Sequence, residues 1–94
     1  MKLEDSRRKI DAIDSEILSL LSRRAEVSRE IGVMKRGAGL PIIDQNREDE
    51  IIRRIVRESD GGMHDRTLVG IYRAILEESR RIQKAVSSEA REIV

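Results

Sequence analysis

The chain of 94 residues is long enough for one domain but close to the size at which a lone core is marginally stable. Its 19 Lys and Arg balance 18 Asp and Glu to a net charge of +1, which disfavours nucleic acid as a partner. With no Cys and a single His, His64, it excludes Cys/His zinc sites and thiol nucleophiles, and no apolar run reaches signal-peptide or membrane-spanning length.

The apolar set is mostly Ile, Leu, Val and Ala, with Tyr72 the only aromatic, so the composition points to helices packed by aliphatic side chains. A single all-α domain over residues 1–94, cytoplasmic by default, is the expectation.

In the first element Leu3, Ile10, Ile17 and Ile31 fall on a seven-residue repeat interleaved with Ile13, Leu20, Val27 and Met34. This is the pattern of a long helix packing on others, and Arg24 occupies the one position missing from it. The helix should start near Asp5 or Ser6 and stop at "KRGAG", where Gly37 and Gly39 end it. That gives about 31 residues, or roughly 46 Å. A compact chain of this size has a radius of gyration of about 12 Å, so such a helix overhangs a monomer. An intertwined homodimer covers the overhang.

The second helix is expected after Pro41, with Asp44 as its N-cap, ending at the "SDGG" of residues 59–62. The third should run from about Asp65, with Leu68, Tyr72, Ile75, Ser79, Ile82 and Val86 on one stripe and a tail, "SSEAREIV", expected to fray. No strand pattern or internal repeat competes with three helices.

Each helix interrupts its apolar face with polar residues. Arg24, Ser28 and Lys35 share a face of the first, with Arg24 and Lys35 about 16 Å apart along the axis, a separation from which two long side chains can converge on a small anion. On the second, Asp44, Arg47 and Glu48 are in register with Ile51, Ile52 and Ile55 and so should point inward. On the third, Ser79 and Gln83 continue the stripe of Tyr72, Ile75 and Leu76.

Taken singly these features have plain explanations. Arg24 could fix register, the "DQNRE" charges could cap a helix and form a surface pair, and Lys35 could complement a helix dipole. Together they would leave several cations unpaired in a small core, at a cost of several kcal/mol each. An anionic ligand removes that cost. The matching ligand is a small hydroxylated dicarboxylate, with its hydroxyl on Glu48.

The segments "LEDSRRKIDAIDSEILSLLSRRAEVSREIGVMK", "PIIDQNRE" and "EESRRIQ" together resemble the all-helical, AroQ-class chorismate mutases over nearly the whole chain. The resemblance implies three helices per chain in an intertwined homodimer with two equivalent sites. It implies the Claisen rearrangement of chorismate to prephenate, on the shikimate-pathway branch toward phenylalanine and tyrosine, with no metal and no cofactor. The matching site positions are Arg7, Arg24, Lys35, Asp44, Arg47, Glu48, Ser79 and Gln83. Arg7 lies about 25 Å from Arg24 along one helix, and the family's solution is that it enters the other subunit's site.

By that resemblance Arg24 and the partner chain's Arg7 clamp carboxylates, assisted by Ser79, while Lys35 and Gln83 donate to the ether oxygen as its bond to carbon breaks. Glu48, with backbone near Asp44, holds the ring hydroxyl, and Arg47 orients the acidic residues. The nearest rival is an isochorismate-pyruvate lyase of similar helix layout, which "DQNRE" and Ser79 disfavour. A non-catalytic helical dimerisation module is a rival of another class. No fused dehydratase or regulatory domain is expected in the chain, so feedback control would need a partner enzyme of the shikimate pathway.

Overall fold

The computed structural model describes the backbone of residues 2–93 and the side chains of residues 2–87. It contains three helices, α1 (Leu3–Ala38), α2 (Gln45–Glu58) and α3 (Asp65–Ile93), and no strand among the described residues.

α1 is 36 residues long, longer than expected at its N-terminus, where Lys2 precedes it without a side-chain cap. Asp5 and Ser6 are helical, and Glu4 and Asp5 in the first turn complement the positive end of the dipole, so acidic residues do the work assigned to a cap. The other end follows the glycine argument. Gly39 takes the left-handed conformation at φ 67°, and the N–H of Leu40 closes the turn on the Lys35 carbonyl at 2.8 Å.

Asp44 caps α2, accepting from the Arg47 N–H at 3.0 Å, and the helix stops where expected. α3 starts at Asp65 as predicted. The tail expected to fray is helical in backbone through Ile93, but its side chains from residue 88 onward lie outside the described residues.

α3 packs against both α1 and α2. The small core sits between α2 and α3, where Ile51, Ile55 and Leu76 are buried against Ile52, Val56, Leu68, Val69 and Tyr72. Farther along α3, Ile82 and Val86 are also buried.

The molecule is a slab of 59 × 27 × 14 Å with a radius of gyration of 16.9 Å. A compact chain of this length would have about 12 Å. The excess is α1, whose repeat positions remain in solvent: Ile10 and Leu20 are each 57% exposed, and Leu3, Ile13, Ile17 and Met34 are exposed with them. A row of large aliphatic side chains of this length is the kind of surface that an interface covers.

Candidate active site

The polar residues that interrupt the three helix faces meet at one cavity of about 340 Å³, within the range of small-molecule sites. α1 contributes Arg24, Ser28 and Lys35, α2 Asp44, Arg47 and Glu48, and α3 Ser79, Arg80 and Gln83. Apolar walls come from Val27, Ile31, Ile51 and Leu76.

At one end the guanidinium of Arg24 donates to the Ser79 hydroxyl, which also accepts from the buried Ser28 hydroxyl at 3.2 Å. A hydroxyl has two acceptor sites and one donor. With both acceptor sites filled, the Ser79 proton is left to donate to an anion beside Arg24.

Lys35 donates to the Ile42 carbonyl at 2.7 Å, so the loop between α1 and α2 anchors the ammonium. The other two ammonium protons stay available to a ligand. Facing it from α3, Gln83 is only 7% exposed and its Oε1 has no hydrogen-bond partner among the described residues. A buried amide with unused capacity is costly in a core and expected in a ligand site.

The helices approach closely at this point because α1 has Gly32 there. A Cβ on that residue would lie 3.1 Å from the Gln83 Cα, tight enough that the two helices would have to move apart slightly. Gly32 therefore sets how near the α3 amide comes to the face of α1 that carries Ser28 and Lys35.

Glu48 is held by a two-point ion pair with Arg80: Nε to Oε2 at 2.7 Å and Nη2 to Oε1 at 2.6 Å. The hydrogen bonds from Arg80 to Glu48 raise the arginine pKa above its usual value. Arg47 does not brace the acidic residues as the sequence suggested. Its guanidinium pairs with Glu50 at 2.7 Å and its side chain is 52% exposed, because a neighbour one turn along the same helix is its nearest acid. Asp44, also exposed, is engaged as the helix cap. Of the three α2 charges expected to point inward, Glu48 does so, while Asp44 and Arg47 form the rim.

The family model for chorismate mutase type II matches residues 6–84. The chain belongs to that family. It is similar to a bifunctional chorismate mutase/prephenate dehydratase of Aquifex aeolicus, with 40% identity over 90% of this chain but only 25% of that protein. It is also similar to the chorismate mutase of Methanocaldococcus jannaschii, at 31% identity over 94% of this chain and 90% of that one. The solved chorismate mutase of Helicobacter pylori in complex with prephenate superposes with a TM-score of 0.83 at 32% identity, covering 93% of this chain and 94% of the other. The chain thus spans about a quarter of the bifunctional relative and nearly all of the Methanocaldococcus jannaschii one.

Among the eight site positions expected from the sequence resemblance, Arg24, Lys35, Asp44, Arg47, Glu48, Ser79 and Gln83 all line the cavity, and Arg7 does not. Arg7 is exposed near the start of α1, 17 residues and about 25 Å from Arg24. Arg80 and Ser28 were not among the matched residues. Arg80 follows Leu76 by four and precedes Gln83 by three, so helical spacing puts it on the same face, a signal the neighbouring stripe through Ile75, Ser79 and Ile82 obscures. Among the described residues no group of three or more His, Cys, Asp or Glu side chains could hold a metal ion, and no helix is long and apolar enough to cross a membrane.

Proposed function

We propose that the protein is a chorismate mutase working as an intertwined homodimer in the cytoplasm, converting chorismate to prephenate without metal, cofactor or covalent intermediate. The observation that carries this reading is the convergence of Arg24, Lys35, Glu48, Ser79 and Gln83, from three helices, on one cavity. Chorismate offers two carboxylates, an ether oxygen and a ring hydroxyl, and the cavity has complementary groups for one carboxylate, the ether oxygen and the hydroxyl, leaving the second carboxylate to an arginine from outside this chain's cavity.

The reaction is an intramolecular rearrangement in which a carbon–oxygen bond breaks as a carbon–carbon bond forms. It needs no nucleophile and no proton transfer, so the protein contributes by holding a compact conformer and stabilising charge as it separates. Arg24 and Ser79 receive a carboxylate. Lys35 and Gln83 donate to the ether oxygen, which gains negative charge in the transition state. Glu48 accepts from the ring hydroxyl and is a binding group, not a general base.

In the dimer the aliphatic row of α1 is buried against its copy, and Arg7 of each chain reaches the other chain's cavity and supplies the second carboxylate clamp. The overhang of α1 and the exposure of Leu3, Ile10 and Ile17 support this arrangement. Regulation, where it exists, would come through a partner enzyme of the same pathway.

The experiment that tests the activity is loss of chorismate's diene absorbance on adding purified protein, with the product identified. Saturable conversion to prephenate, abolished by Arg24→Ala, is expected. An intact dimer that leaves chorismate unchanged would overturn the proposal, and release of pyruvate from isochorismate would identify the lyase instead.

Because an amide donates at any pH, kcat is expected to be nearly flat from mildly acidic to mildly alkaline conditions. A steep loss of turnover between about pH 5 and 8 would be incompatible with the role given to Gln83. The matched control is Gln83→Glu, which can donate only when protonated and should lose activity as pH rises.

A further inference from the structure

We propose that Arg80 is a positioning residue for this reaction: its two-point ion pair orients the Glu48 carboxylate toward the substrate's ring hydroxyl and locks α2 to α3 across the site. The inference rests on the proposed activity and adds to it a residue outside the matched set.

The pair joins residues 32 positions apart, on different helices, so it reports tertiary geometry and not local helix chemistry. Arg47 and Glu50, or Glu78 and Arg81, are one turn apart on a single helix and well exposed. Such surface pairs contribute little. By contrast the Glu48 side chain is only 17% exposed and that of Arg80 34%, and both line the cavity.

Two parallel hydrogen bonds fix more than a distance. A single contact would leave the carboxylate free to rotate, whereas a fork meeting both oxygens fixes its plane and direction. An ionised carboxylate has about four lone-pair sites, and Arg80 occupies two of them. One site on each oxygen is left to accept from a ligand hydroxyl.

The placement of Arg80 along α3 matters as well. It stands between Ser79, which holds the anion end of the cavity with Arg24, and Gln83, the buried donor. Tying Glu48 to this turn sets the hydroxyl acceptor at a fixed offset from both. The apolar contact of α2 with α3 through Ile51, Ile55 and Leu76 cannot itself orient a carboxylate. Arg47, whose guanidinium is turned toward Glu50 on the exposed rim, makes no such contact with Glu48.

The test is a double-mutant cycle with steady-state kinetics on chorismate, using wild type, Arg80→Ala, Arg80→Lys, Glu48→Ala and the Glu48→Ala/Arg80→Ala pair, each checked for helicity and Tm. Loss of a hydrogen bond to a charged group corresponds to roughly 10- to 100-fold, and Arg80→Ala should lower kcat/KM within that range, mainly through KM. Arg80→Lys keeps the charge but loses the fork, so it should fold like wild type and fall between the two. The double variant should be no worse than Glu48→Ala alone, because Arg80 acts through Glu48.

Full additivity of the two lesions would mean that Arg80 contacts the substrate itself, and would overturn the positioning role. So would wild-type kcat/KM in both Arg80 variants. A wild-type protein inert toward chorismate would overturn the proposed activity and this inference together, whereas an active wild type with indifferent Arg80 variants overturns the inference alone.

Discussion

Replacing Lys35 or Gln83 by Ala should lower kcat on chorismate at least ~100-fold, the scale expected for losing one preorganised transition-state donor. The expectation follows from how each donor is held. Lys35 spends one hydrogen bond on the Ile42 carbonyl, so its ammonium is already placed when substrate arrives. Gln83 is almost dry and pressed against α1 where Gly32 leaves room, so its amide, whose Oε1 has no partner among the described residues, is confined beside the cavity. Donors fixed in a partly dehydrated cleft need little reorganisation as the ether oxygen gains charge, and that is why they should act on turnover more than on binding.

The two variants also differ in a useful way. Lys35→Ala removes a charge and releases the Ile42 carbonyl, so it should disturb the loop before α2 as well as the reaction. Gln83→Ala removes an amide whose oxygen already lacks a partner in the free protein. It should therefore cost little in Tm while costing as much in kcat. Near-normal turnover in both variants would eliminate the mechanism, and a large loss of Tm in Gln83→Ala would mean that the amide supports the fold.

The fold was legible because the sequence states its boundaries locally. Asp44 after Pro41 and Gly39 after the last α1 turn each satisfy a helix end through neighbours in sequence, and Asp65 after the second glycine pair puts an acid in the first turn of α3. The N-terminus of α1 was less so. Nothing there requires a side-chain cap, and a helix already 30 residues long gains by adding turns as far as Leu3. Periodicity also predicted which helix faces would meet, and the cavity collects seven of the eight expected residues.

What periodicity cannot supply is the pairing of charges within that face. Spacing puts Glu48 and Arg80 on the cavity faces of their own helices but does not say that the two side chains meet. The pairing depends on how α2 and α3 are docked through Ile51, Ile55 and Leu76, contacts between residues far apart in sequence. The nearest acid to Arg47 is on its own helix, and the nearest to Arg80 is across the cavity. The eighth residue, Arg7, is absent from the cavity for a simpler reason: its own chain carries it about 25 Å away.

That distance leads to the second large effect. Arg7→Ala and Arg24→Ala, each nearly inactive alone, should recover activity when the two chains are unfolded together and refolded as a mixture. In the proposed two-fold symmetric dimer each site would take Arg24 from one chain and Arg7 from the other. A heterodimer of the two variants then has one site with both lesions and one with neither. Random assembly makes about half of the dimers heterodimeric, so about a quarter of all sites should be intact and should turn over chorismate with wild-type KM. A rise to about that fraction cannot arise if each chain completes its own site, because every chain in the mixture still lacks one arginine. Absence of any recovery, with heterodimers demonstrated by mass, would place Arg7 outside the site. The aliphatic row on α1 would then serve association alone.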